Sequence, residues 1–118
     1  MLSPAMSIGK FLKDNRIATH VESYCESACV LVALYGSPLY VTPEAQFGLH
    51  SGRSVASHES KLGQDIAKLG TDTFLTKLRE LDVPEHIVVM VEKTPPEEMH
   101  YVSGNELHNA GLAQLVIR

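Results

Sequence analysis

The segment from Ser27 to Tyr35 constrains the fold more than any other part of this chain. It is apolar almost all round a helical wheel, so as a helix it has no face to give to water and must be buried. Segments of strand character stand on both sides. Ile17 to Tyr24 alternates loosely, with Ile17, Thr19, Val21 and Tyr24 as strand formers. Leu39 to Thr42 and Gln46 to His50 are short strands parted by Pro43. A buried helix set between strands predicts an α/β protein with a mainly parallel sheet and flanking helices.

The rest of the chain extends this pattern. Ser7 to Asn15 reads as a helix with Ile8, Phe11 and Leu12 on its apolar face. Ser51 to Ser60 is polar and reads as a loop. A long helix is expected from about Glu59 to Leu81, with Leu62, Ile66, Leu69, Thr73, Leu78 and Leu81 as its stripe and Gly63 and Gly70 weakening it. Pro84 opens a second helix through Val91, since proline suits a first turn, and Thr94-Pro95-Pro96 stops it. His100 to Val102 is a short strand. Ser103, with Glu106 three residues on, forms a capping box for a helix over Gly104 to Asn109. Gly111 ends that helix, and Leu112 to Ile117 is a last strand. A chain of 118 residues that is 44% hydrophobic is expected to form a single domain, 1–118, around one core.

Charge and hydropathy exclude some function classes. The net charge of -4, with no basic block, argues against nucleic-acid binding, which needs cations to displace counterions from phosphates. The longest apolar run, Val30 to Tyr35, is too short to cross a bilayer, so no transmembrane segment is expected. Met1 to Asn15 has no basic region followed by an apolar one, so no signal peptide is read there.

The two cysteines, Cys25 and Cys29, have no second Cys or His pair at ligand spacing, so they do not read as a metal site. They read as two small buried thiols beside Ser27. The alternative is a disulfide, which implies an oxidising compartment. The remaining histidines, His20, His58, His86, His100 and His108, are scattered and read as surface or interface residues. Ser51-Gly52-Arg53-Ser54 has the composition of an anion nest but lacks the strand and Gly-rich helix start of a phosphate site.

Chemistry gathers at Cys25-Glu26-Ser27-Ala28-Cys29 and at Gly48-Leu49-His50. A serine at the mouth of a buried helix is by spacing alone an N-cap. With a histidine returning from a nearby strand it is also a nucleophile with a base, because a serine hydroxyl attacks only when a partner takes its proton. A helix start leaves the N–H of Ala28 without an intrahelical partner and so able to receive an oxyanion.

The run Glu26-Ser27-Ala28-Cys29, then Gly36, then Val41-Thr42-Pro43-Glu44-Ala45-Gln46-Phe47-Gly48-Leu49-His50, resembles the ClpP-like serine peptidases of the ClpP/crotonase superfamily. It is most similar to divergent bacterial periplasmic or membrane-associated members with a C-x-S-A-C motif. Tyr101 to Leu112 resembles the family's ending, a short strand, a small helix and a Gly-Leu before the last strand. The resemblance runs from about Ile8 onward. It implies a ClpP/crotonase-like fold, a peptide or protein substrate, a homo-oligomer and no cofactor. It casts Ser27 as nucleophile, His50 as general base and Ala28 N–H as one oxyanion donor.

Two family features stand differently here. The family's Ser-Pro near the N-terminus is followed by a glycine pair that supplies the second oxyanion donor, whereas Leu2-Ser3-Pro4-Ala5-Met6-Ser7 has no glycine and passes straight into a helix. The chain therefore reads as a member lacking the family's first strands. The family's orienting acid falls where this chain has Met99, and Glu98 takes that role after a shift of register. The alternative reading is a non-catalytic member that binds peptides or serves in an assembly. A crotonase-type acyl-CoA enzyme is a third reading, because it shares the fold.

Overall fold

In a computed structural model, residues 2–51, 61–95 and 97–117 are described. The elements run α1 (Leu2–Asp14), β1 (Thr19–Val21), β2 (Tyr24–Glu26), α2 (Ala28–Leu34), β3 (Leu39–Val41), β4 (Gln46–Leu49), α3 (Lys61–Glu80), α4 (Glu85–Lys93), β5 (His100–Ser103), α5 (Gly104–Asn109) and β6 (Gln114–Leu115). The strands form two three-stranded sheets. One has the order β1-β3-β6 and is parallel throughout; the other has the order β2-β4-β5, parallel between β2 and β4 and antiparallel between β4 and β5. The α/β class and the largely parallel pairing agree with the alternation in the sequence. The loop predicted over Ser51 to Ser60 lies beyond Ser51 outside the described residues, as does Pro96.

The expected strand from Ile17 to Tyr24 is two strands. The chain bends at Glu22 and Ser23, so that β1 joins one sheet and β2 the other. Thr42 stitches this bend: its N–H donates to the Val21 carbonyl and its hydroxyl to that of Glu22.

The core lies between the sheets and α2, α3 and α4. In α2, Val30, Leu31 and Ala33 are buried, as an all-apolar helix requires. In the β2-β4-β5 sheet one face carries Cys25, Phe47 and Val102 side by side in register, each 2% exposed or less. Strand periodicity therefore turns Glu26, Gly48, Tyr101 and His50 toward the other face.

Two helices pack on a different face from the one their apolar stripes predict. In α1 the buried positions are Ala5 and Gly9, while Ile8 and Phe11 are 52% and 60% exposed. Gly9 lies against the Tyr35 ring, which takes the space a side chain there would need. Among the described side chains of α3, Phe74, Leu75 and Leu78 are buried, whereas Leu62 and Leu69 are 71% and 68% exposed. At 100° per residue, Leu78 stands roughly 160° around the helix from Leu62, so the predicted stripe was never one face.

The end of the chain follows its local signals. Ser103 accepts from the Glu106 N–H at 3.1 Å while the Glu106 carboxylate accepts from the Ser103 N–H at 3.2 Å, a complete capping box. Gly111 has φ of 82°, the left-handed residue that closes α5.

Gly104 sits so close to the next layer that an added Cβ would stand 2.1 Å from the Thr42 carbonyl oxygen; a Cβ added at Gly70 would meet nothing within 4 Å beyond its own helix. Gly104→Ala is therefore expected to cost about 2 kcal/mol by overpacking, and Gly70→Ala to stabilise by up to about 1 kcal/mol through helix propensity. Urea unfolding midpoints of the two variants should move in opposite directions.

Candidate active site

Ser27 occupies the single residue between the end of β2 and the start of α2. Its backbone, φ 57° and ψ -121°, lies in the positive-φ region that a side chain other than glycine's adopts only under constraint. Such strain is of order 1–3 kcal/mol and gathers at functional positions. The geometry is that of a sharp strand-to-helix turn that lifts a side chain out of the backbone path. Two backbone bonds hold it. The Ser27 N–H donates to the Gly48 carbonyl at 2.8 Å, extending the β2–β4 ladder by one residue, and its carbonyl accepts from Val30 N–H at 3.0 Å.

The hydroxyl does not cap α2. Ser27 is the N-cap residue by position, but it makes no side-chain cap hydrogen bond. Its Oγ lies 2.7 Å from Nε2 of His50, which follows β4 directly and is 23 residues away in sequence. Nδ1 of His50 lies 2.6 Å from the Ser51 carbonyl oxygen. A carbonyl can only accept, so Nδ1 carries the ring proton. The neutral ring then presents the Nε2 lone pair to the Ser27 hydroxyl, the polarity a base needs.

The expected partner of His50, Glu98, does not fill that role. Nδ1 is taken by the backbone of Ser51, while the exposed Glu98 uses its own N–H in a turn to the Pro95 carbonyl. A carbonyl one residue along the chain leaves no trace in side-chain identity, which is why a search for carboxylates missed it. Met99, the position at which the sequence resemblance expects an acid, packs beside Gly48, where a Cβ would stand 2.8 Å from its Cγ.

Ala28 is the first residue of α2, and its N–H makes no hydrogen bond among the described residues, as the start of a helix leaves it. Ser3, Pro4 and Ala5 lie within α1 and so form no glycine-like loop.

The cysteines correct the reading as free thiols. Cys25 and Cys29 form a disulfide, with Cα atoms 5.3 Å apart. They do not share a helix: Cys25 is buried in β2 and Cys29 is exposed in the first turn of α2, and the sharp turn at Ser27 brings them together.

One further pair flanks the site. Glu26 and Tyr101 stand on either side of Gly48 in register, and the Tyr101 hydroxyl donates to the Glu26 carboxylate at 2.5 Å across the space left by the missing side chain. That carboxylate raises the Tyr101 pKa above its ordinary value of 10.0. The ring of Tyr24 meets that of Tyr101 edge-on at 6.2 Å. Of the other described histidines, His108 bonds the Ala113 carbonyl and His20 meets the Tyr40 ring; none is bonded to Ser27 or His50. His58 and residues 52–54 of the possible anion nest lie outside the described residues.

The sequence matches no protein-family model and no curated protein. The fold does have neighbours of known structure. One, described only as an enzyme, superposes with a TM-score of 0.70 at 10% sequence identity, over 99% of this chain and 66% of the neighbour's length. At that identity the likeness concerns architecture alone.

Two outcomes are expected from this geometry. Ser27→Gly should be more stable than Ser27→Ala by about 1 kcal/mol, because glycine adopts φ of 57° without strain; chemical denaturation of the pair checks this. Glu26→Gln removes the carboxylate that favours the protonated phenol, so one of the four tyrosines should titrate at lower pH than in the parent, read by ultraviolet absorbance. The sign follows from the raised pKa: the stabilisation from this bond is complete below pH 10 and is lost as the pH rises through the folded-state pKa.

Proposed function

We propose that this chain is a ClpP-like serine peptidase of ClpP/crotonase-like fold, with Ser27 as nucleophile, His50 as general base and Ala28 N–H as an oxyanion donor. The observation that carries the reading is the 2.7 Å contact between Ser27 Oγ and His50 Nε2, made by a serine whose strained backbone holds it away from the capping role it would otherwise take. In the acylation step Oγ attacks the carbonyl carbon of a peptide bond as its proton passes to Nε2. Charge develops on the carbonyl oxygen, toward which Ala28 N–H donates, and the proton on Nε2 then goes to the leaving amine.

The Ser51 carbonyl favours a second reading, a non-catalytic family member that binds peptides or serves in an assembly, because among the described residues no carboxylate is bonded to His50 to stabilise an imidazolium. The disulfide supports an oxidising compartment, in line with the periplasmic relatives that the resemblance implies. Among the described residues no helix is long and apolar enough to cross a membrane. A homo-oligomer fits the exposed Leu62 and Leu69 of α3, two large apolar side chains with no cover in one chain.

A fluorophosphonate probe separates the two readings, since an activated serine displaces fluoride from phosphorus and keeps the phosphonyl group. Labelling is expected at Ser27, absent in Ser27→Ala, about 10²–10⁴-fold slower in His50→Gln and unchanged in Glu98→Gln. No labelling of the folded parent chain, or labelling that survives Ser27→Ala, sinks the peptidase reading.

A further inference from the structure

The same molecule holds two serines at helix starts in two different states. Ser103 has extended backbone, φ -79° and ψ 160°, and its hydroxyl caps α5 through the N–H three residues on. Ser27 stands at the same position relative to α2 but has φ 57° and ψ -121°, leaves its helix uncapped and gives its hydroxyl to His50. The Ser103 state is the relaxed one for a serine. The equivalent state for Ser27 is extended backbone, with Oγ withdrawn from His50 and accepting from the N–H of Val30, which here donates to the Ser27 carbonyl.

Besides the burial of α2, what stands against that change is the ring closed by Cys25 and Cys29, with Ser27 at its centre. One end is immobile, because Cys25 is buried and in register with Phe47 at the middle of its sheet. Extended backbone at Ser27 lengthens the span between the two Cα atoms, which is 5.3 Å and which a disulfide holds below about 7 Å. The other restraints are the Ser27 N–H bond to Gly48, the Val30 N–H bond to the Ser27 carbonyl, and the burial of Val30, Leu31 and Ala33, which keeps α2 itself in the core.

We propose that the Cys25–Cys29 disulfide is the positioning element of the nucleophile: oxidised, it holds Ser27 against His50, and reduced to two thiols it releases Ser27 to cap α2. The inference rests on the peptidase reading for its catalytic meaning, but the displacement of Ser27 is observable without catalysis. Reduction by a dithiol is a two-electron exchange. A thiolate attacks Sγ of Cys29, whose residue is exposed, Cys25 leaves as thiolate, and the second thiol of the reagent displaces Cys29. The chain gains two thiol protons, and the reagent becomes a cyclic disulfide.

The test follows one sample through oxidised, dithiol-reduced and reoxidised states, with thiol counts by mass, far-ultraviolet circular dichroism for the fold, fluorophosphonate labelling, and ¹⁵N shifts of the His50 ring assigned with His50→Gln. Expected is a fall in labelling of roughly tenfold or more on reduction, a shift of His50 Nε2 as it loses the hydroxyl, an unchanged fold, and recovery of both signals on reoxidation. Cys25→Ala/Cys29→Ala should behave as the reduced chain and ignore dithiol. If the oxidised chain is never labelled but the Nε2 signal still moves with redox state, the peptidase reading fails and the positioning role stands. Equal labelling and equal ring shifts in both redox states overturn the proposal. So does a loss of label that accompanies loss of the folded circular dichroism signal, which would make the bond a structural staple.

Discussion

The parallel register between β2 and β4 is the constraint on which the site depends. Glu26 pairs with Gly48, so the next residue on each strand, Ser27 on one and Leu49 on the other, stands at the same end of the sheet, and His50 follows at once. The same register places Cys25 beside Phe47 in the core. Side chains alternate with period two, so a slip of one residue would expose Phe47 and bury the face that carries His50. Burial of a large aromatic side chain is worth several kcal/mol, more than the strain at Ser27 costs. Hydrophobic packing thereby fixes where the serine and histidine meet, and the hydrogen bond between them is a consequence of that packing.

Gly48 joins the two sides of this arrangement. Its carbonyl receives the Ser27 N–H, which anchors the strained residue from behind. Its missing side chain leaves room for Met99 and for the Glu26–Tyr101 bond that crosses above it. A single position with no Cβ therefore serves the backbone of the nucleophile on one edge and a side-chain layer on the open face. Strain at Ser27 is sustained because the residue sits between the Gly48 carbonyl on the central strand and the buried helix α2, with the Cys25–Cys29 bond closing the turn.

The sequence revealed those parts of the molecule that follow from local chemistry. The capping box at Ser103 and Glu106, the buried helix after Ser27 and the closing glycine at 111 need only neighbours along the chain, and all three stand where expected. What escaped depends on geometry between elements. Ile8 and Phe11 look like the packing face of α1, yet the buried positions are Ala5 and Gly9, because the Tyr35 ring fills the space beside Gly9. Cys25 and Cys29 look ill placed for a disulfide on one helix, and only the strand-to-helix turn at Ser27 brings them within bonding distance. The partner of His50 is a backbone carbonyl, to which no residue type points.

That carbonyl has a definite consequence under the peptidase reading. An orienting carboxylate does two things for a catalytic histidine: it fixes the tautomer with the proton on Nδ1, and it stabilises the positive charge that the ring acquires in the transition state. The Ser51 carbonyl does the first fully, since it can only accept, and at 2.6 Å it also restrains the ring plane toward Ser27. It does the second only through a dipole, which is a weaker source of negative potential than an ionised group. The large penalty associated with a wrong tautomer therefore does not arise here. What is given up is charge stabilisation alone, and its cost falls on the step in which the imidazolium forms.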